Sequence, residues 1–261
     1  MKPPAHAVET VGDGPDLLLI HGTAADRTSW RPLVRLLRDC FRITTYDRRG
    51  AGCWLFATDA GLPSVEEHAA DAADIVLDCT SGPAFVFAIS FGGAVALELM
   101  RQQPGSVRGA ALFEPRLAPR DDLAGHPNPF LIEFERLVND GQGEQAAEMF
   151  HRRLLSDAKW ERLPESIKAQ MRGVWRQIHG DLMANAAYRP RYGELGDIDV
   201  PVLLLRGEHT HSTFEPTLRA LAAALPRAQK RIVPAASHHL DAKGWRELAT
   251  VLIEMAEDLS P

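Results

Sequence analysis

The feature that most restricts the fold of this chain is an alternation. Short, continuously apolar, β-rich runs are separated by stretches with helical spacing through its first half. Candidate strands run from Asp16 to His21, Arg42 to Tyr46, Ala84 to Ile89, Gly109 to Phe113, Pro201 to Arg206 and Gln229 to Val233. A strand covered by helices on both faces is apolar throughout rather than at every second residue, so most of these runs read as parallel strands inside an α/β architecture. Trp30, Leu33, Val34 and Leu37 recur at helical spacing. Ser64 followed by Glu67 is a capping-box start for a helix with Val65, Ala69, Ala72, Val76 and Cys79 on one side. Phe91 to Gln103 and Ala242 to Leu259 read as two further helices.

The alternation breaks between residues 116 and 198, where helical patterns continue without a convincing strand. The expected organisation is a core of residues 1–115 and 199–261 interrupted by a helical insert at 116–198. Phe130, Phe134, Leu137, Met149, Phe150, Leu154, Trp160, Met171, Trp175 and Met183 give the insert apolar surface. They either pack it onto the core or roof a ligand pocket.

Charge and cysteine content remove several functional classes. A net charge of -6, with Lys and Arg scattered, gives no footprint for phosphate backbones, so nucleic acid is not an expected partner. The longest apolar runs fall far short of the roughly 20 residues of a membrane-spanning helix. The amino terminus has no apolar stretch of the kind a secretory signal needs. Cys40, Cys53 and Cys79 are odd in number and lack metal-ligand spacing, which speaks against a disulfide framework or a zinc site and for a reducing cytoplasm. No cofactor or metal is expected, and the sequence does not define an oligomeric state.

Chemistry is concentrated in Phe85-Val86-Phe87-Ala88-Ile89-Ser90-Phe91-Gly92-Gly93-Ala94, a strand running into Ser-x-Gly-Gly and then a helix. The segment resembles the nucleophile elbow of the α/β-hydrolase family, with Ala88 in place of the first glycine of G-x-S-x-G. Three more segments resemble the family in the right order. Leu17 to Thr23 is similar to the strand that ends in His-Gly and leads into the oxyanion loop. Tyr46-Asp47-Arg48-Arg49-Gly50-Ala51-Gly52 is similar to the D-x-R-G-x-G loop, and Val233-Pro234-Ala235-Ala236-Ser237-His238 to the turn that delivers the catalytic histidine. The resemblance implies a mostly parallel central sheet flanked by helices, with the insert as a helical cap.

A serine hydroxyl is a weak nucleophile at neutral pH. It needs a base within hydrogen-bond reach, and the base needs an acid to fix its tautomer. Ser90 and His238 fill the first two roles, with His239 the rival base. The resemblance implies that the backbone N–H groups of Thr23 and Phe91 stabilise the oxyanion. His21 either holds the oxyanion loop or presents a polar group to substrate, and the Asp47-Arg48-Arg49 charges read as loop-stabilising. Trp54, Leu55 and Phe56 either line an apolar substrate pocket or cover the flank of the core.

The third triad member departs from the usual pattern, because Leu205-Arg206-Gly207-Glu208-His209-Thr210 puts a threonine where an aspartate is expected. Glu114, after the strand that ends at Phe113, is the preferred acid and Glu208 the alternative. Pro115 is expected to hold Glu114 extended. If neither is the acid, Glu114 is an ordinary solvated loop residue. These residues imply a serine hydrolase acting on a small-molecule ester or lactone of apolar character. Thioesterase, carbon–carbon hydrolase, perhydrolase and acyltransferase chemistry, or a non-catalytic binding role, remain open on the same fold.

Overall fold

The computed structural model describes residues 4–54, 61–126, 128–210 and 212–258. Its centre is a seven-stranded sheet. In chain order the strands are β1 (Val8–Val11), β2 (Asp16–Ile20), β3 (Arg42–Tyr46), β4 (Ala84–Ile89), β5 (Val107–Phe113), β6 (Val202–Gly207) and β7 (Ala228–Val233). The spatial order is β1-β3-β2-β4-β5-β6-β7, which places β4 in the middle. Only β1 is antiparallel, pairing Val8 with Tyr46 and Val11 with Ile43. Four of the strands expected from sequence recur within two residues of their ends, and the Arg42–Tyr46 and Ala84–Ile89 strands recur unchanged. β1 is the strand that the apolar pattern missed.

The uninterrupted apolar runs have the expected cause. Alternate strand residues face opposite sides, and both sides are covered. Leu18, Ile20, Val86, Ala88, Ala110, Leu112, Val202 and Leu204 pack on one face with α2 (Val65–Cys79), α3 (Phe91–Gln102) and α9 (Glu215–Ala224). Leu17, Leu19, Phe85, Phe87, Ala111, Phe113 and Leu205 pack on the other with α1 (Arg31–Leu37) and α10 (Ala242–Asp258). Trp30, buried before α1, meets the Phe87 ring edge-on at 5.5 Å. The capping box of α2 forms as read: Ser64 Oγ accepts from Glu67 N–H at 3.2 Å, and Glu67 Oε2 from Ser64 N–H at 2.8 Å.

Between β5 and β6 the described residues contain five α-helices and no strand: α4 (Pro129–Asn139), α5 (Gly143–Leu155), α6 (Asp157–Glu161), α7 (Glu165–Gly173) and α8 (Trp175–Ala187). Phe134, Leu137, Ala146, Ala147 and Ile178 form a separate apolar cluster, with Phe130, Met149, Phe150 and Trp175 against it. Trp160 is buried and stacked on His151 at 5.9 Å. Much of the apolar surface here therefore packs these helices on one another. The three cysteines are free. Among the described residues no helix is long and apolar enough to cross a membrane.

Candidate active site

Ser90 sits between the carboxyl end of β4 and the first residue of α3, with φ 55° and ψ -122°. A non-glycine residue in this region stores backbone strain, and its surroundings hold it there. Ser90 N–H donates to Phe113 O at 3.0 Å, and Ser90 O accepts from Gly93 N–H and Arg116 N–H, each at 2.9 Å. The neighbouring glycines are required by close approach. A Cβ on Gly92 would stand 2.4 Å from Ile20 O, and one on Gly93 would stand 2.5 Å from Pro115 Cβ. Ala88 is fully buried, so the missing first glycine of the motif is accommodated within the core.

Pairing of β4 with β5 brings the next residue, Glu114, to the same sheet edge. Glu114 is fully buried. Its N–H donates to Leu205 O at 2.9 Å, and its Oε1 accepts from Gly207 N–H at 2.8 Å. Oε2 lies 2.6 Å from His238 Nδ1. The reading of Glu114 as extended before Pro115 is corrected by its φ of 48°. The left-handed turn, held by the Leu205 contact, swings the side chain across the end of β6, and Pro115 packs against Gly93.

Glu208 is placed differently. Its side chain is 55% exposed, and its Oε2 accepts from Ala235 N–H at 2.8 Å. It braces the turn that carries His238 rather than pairing with His238 itself. Glu208 N–H also donates to Val233 O at 3.0 Å, and His209 N–H to Ala236 O at 2.9 Å, so the loop after β6 and the histidine turn are tied together. His239 is exposed, its ring centroid 5.8 Å from that of His238. Sequence reasoning missed Phe214, which stacks on His238 with centroids 4.8 Å apart and planes at 19°. An aromatic residue just before α9 gave no signal of that contact.

The two expected oxyanion donors flank Ser90. Phe91 is the first residue of α3, where N–H groups have no partner within the helix. Thr23 follows Gly22, whose Cα approaches so closely that an added Cβ would lie 3.1 Å from Ser90 Cβ. His21 is corrected as a substrate contact. It is 1% exposed, its Nδ1 is 2.9 Å from Gly22 O, and its Nε2 accepts from Arg48 N–H at 3.1 Å. Burial, reinforced by the positive charge of Arg48, holds its pKa well below the usual imidazole range. Trp54 is also corrected: it is buried, bridged to Ala51 and covered by the Arg49 guanidinium at 5.3 Å, which makes it a packing residue of its loop. Phe56 lies outside the described residues.

Asp47 and Arg49 are loop-stabilising as read. Asp47 accepts from Arg27 N–H and Cys53 N–H, each at 2.8 Å, and Arg49 makes a two-point ion pair with Asp71. No cluster of three or more His, Cys, Asp or Glu side chains suited to a metal ion occurs among the described residues.

Comparison with known proteins agrees with this architecture. The chain is 32% identical over 176 residues to a pimeloyl-[acyl-carrier protein] methyl ester esterase of Methylococcus capsulatus, covering 66% of this chain and 63% of that protein, under two thirds of its length. A protein of the same description from Nitrosomonas europaea is 26% identical over 249 residues, covering 88% of this chain and 91% of the relative. Among solved structures, a thermophilic esterase from Thermogutta terrifontis superimposes with a TM-score of 0.76 at 23% identity, covering 98% of this chain and 94% of that one. The profile described as "Alpha/beta hydrolase family" matches residues 17–250, a span that takes in Thr23, the Ser90 turn, Glu114 and the turn that carries His238. On that match the chain belongs to the alpha/beta hydrolase family.

Proposed function

We propose that the protein is a serine hydrolase that cleaves a carboxylic ester or lactone through an acyl-enzyme on Ser90. The observation that carries this reading is the 2.6 Å contact of His238 Nδ1 with the buried Glu114 carboxylate, at the sheet edge where Ser90 occupies a strained elbow. Nδ1–H donates to Glu114, which leaves Nε2 as the base. Ser90 Oγ attacks the carbonyl carbon as its proton passes to His238. The oxyanion is met by Thr23 N–H and Phe91 N–H. His238 then returns the proton to the leaving alkoxide, and water repeats the sequence to release the acid. The esterase descriptions of the two relatives support the bond type. The helices between β5 and β6 act as a cap over the site, excluding water and setting which small, apolar ester enters.

The test is labelling with a fluorophosphonate probe, followed by a panel of p-nitrophenyl esters, lactones and thioesters of graded chain length. Stoichiometric labelling of Ser90 with ester or lactone turnover is the expected result. A serine that does not react marks a binding protein on this fold and overturns the proposal.

A further inference from the structure

Arg48, on the loop after β3, is 0% exposed, a costly place for a charge unless every donor is satisfied. A guanidinium has five N–H groups, and each has a partner here. Nε donates to His21 O at 3.1 Å, and Nη2 to Gly22 O at 3.1 Å and to Asp181 Oδ2 at 2.7 Å. Nη1 donates to Asp181 Oδ1 at 2.8 Å and faces His68 Nε2 at 3.5 Å. Asp181 is itself buried and comes from α8.

The same residue also fixes the His21 tautomer. Arg48 N–H donates to His21 Nε2, so the proton of the neutral ring sits on Nδ1, which donates to Gly22 O. The Gly22 carbonyl is thus held by two donors. Its peptide bond is trans, because no cis bond occurs among the described residues, and in a trans peptide the C=O and N–H point in opposite directions. Clamping Gly22 O toward Arg48 therefore aims Thr23 N–H away from it. The guanidinium also lies 4.7 Å from the Phe91 ring centroid, so the residue carrying the other donor packs on the same group. One turn before Asp181, Gln177 Nε2 donates to Ala25 O at 2.8 Å, which grips the loop just beyond Thr23.

We propose that Arg48, held by Asp181, is a positioning residue that sets the direction of the oxyanion donor Thr23 N–H and makes it depend on the docking of α8. The inference rests on the serine hydrolase reading. Lysine cannot replace arginine in this role, since an ammonium is a point donor without the planar fork that spans two carbonyls and a carboxylate.

The experiment compares wild type with Arg48→Lys and with the double variant Arg48→Met, Asp181→Leu, which replaces a buried ion pair by apolar side chains, an exchange that often preserves stability. Competent sites are counted by fluorophosphonate labelling carried to completion, and kcat per labelled site is measured with p-nitrophenyl butyrate. Loss of one oxyanion donor costs on the order of 100- to 1,000-fold in kcat. A misaimed donor is expected to lower kcat per site by roughly 10- to 100-fold, with KM within about threefold and affinity for a trifluoromethyl ketone falling in parallel. A merely structural role would lower the number of labelled sites and leave kcat per site alone. A loss per site below tenfold, or one that appears in KM, overturns the positioning role. Wild-type protein that the probe leaves unlabelled overturns the hydrolase reading beneath it.

Discussion

Replacing Glu114 by glutamine keeps the shape of the side chain and removes its charge, and the structure specifies what that should do. One amide atom must face Gly207 N–H, now 2.8 Å from Oε1, and the other must face His238 Nδ1, now 2.6 Å from Oε2. Gly207 can only donate, so the amide oxygen takes that side and the NH2 group turns toward Nδ1. Two donors cannot share that contact. The ring responds by moving its proton to Nε2, and a protonated Nε2 cannot accept from Ser90. Loss of the correct tautomer and of the charge opposite the imidazolium costs about 100- to 10,000-fold in kcat in serine hydrolases, roughly 3–5 kcal/mol of transition-state stabilisation. Glu208→Gln is the matched control. Its amide oxygen can still accept from Ala235 N–H, so the histidine turn keeps its brace and the loss should stay below about tenfold. The assay is steady-state hydrolysis of a p-nitrophenyl ester per fluorophosphonate-labelled site, with circular dichroism to confirm folding. A Glu114→Gln enzyme within tenfold of wild type, or a larger loss in Glu208→Gln, would refute the tautomer argument.

Ser90→Ala should fold normally and lose on the order of a millionfold in turnover, down to assay background; activity above a hundredth of wild type rules out the covalent route. Gly92→Ala should destabilise by roughly 1–3 kcal/mol or more in urea, because its Cβ would lie 2.4 Å from a backbone oxygen that cannot step aside; an unchanged midpoint would show that the elbow has slack. Asp181→Asn leaves the Arg48 charge buried without its counter-charge and should cost about 3–5 kcal/mol, far more than an exposed pair such as Arg136 with Glu133; equal losses in the two pairs would contradict this ranking. Burial first, and the charge of Arg48 second, lower the pKa values of His21 and His68 well below the usual range. The unfolded chain therefore takes up protons below pH about 6.5 that the folded chain refuses. These residues' contribution is fully present above that pH and lost as pH falls toward the folded values. The urea midpoint should decline from pH 7.5 to 5, and a His21→Gln, His68→Gln variant that declines just as steeply would disprove the link.

How much of this was readable beforehand depended on whether the information was local. The parallel strands β2, β4, β5 and β6 were legible because burial on both faces makes each a largely apolar run, and α2 was legible because Ser64 and Glu67 satisfy one another within a single turn. β1 was not. Its Val-Glu-Thr-Val sequence is half exposed on the sheet edge and is defined by its register against β3, a partner over thirty residues away. The same limit governs the site. Ser90 announces itself through the glycines that its turn needs, whereas the stacking of Phe214 on His238 and the burial of Arg48 against Asp181 exist only after distant segments meet. His21 and Trp54 were ambiguous for a related reason. A polar or aromatic residue beside a site can face it or brace it, and the choice is made by partners that the local sequence does not name.

Glu114 shows that a departure from pattern can itself carry information. The carboxyl ends of β4, β5 and β6 lie side by side, so an acid after either β5 or β6 begins near the histidine turn. In this chain the position after β6 holds Thr210, whose hydroxyl is buried without a hydrogen-bond partner among the described residues. Glu114 starts one strand further from β7 and must cross the end of β6 to reach His238. Two adaptations make the crossing possible: the positive φ that turns the residue toward β6, and the additional methylene of glutamate over aspartate. Gly207 then serves Glu114, lending the backbone N–H that holds Oε1 while Oε2 meets His238. A glutamate after β5 and a threonine after β6 are thus two halves of one arrangement.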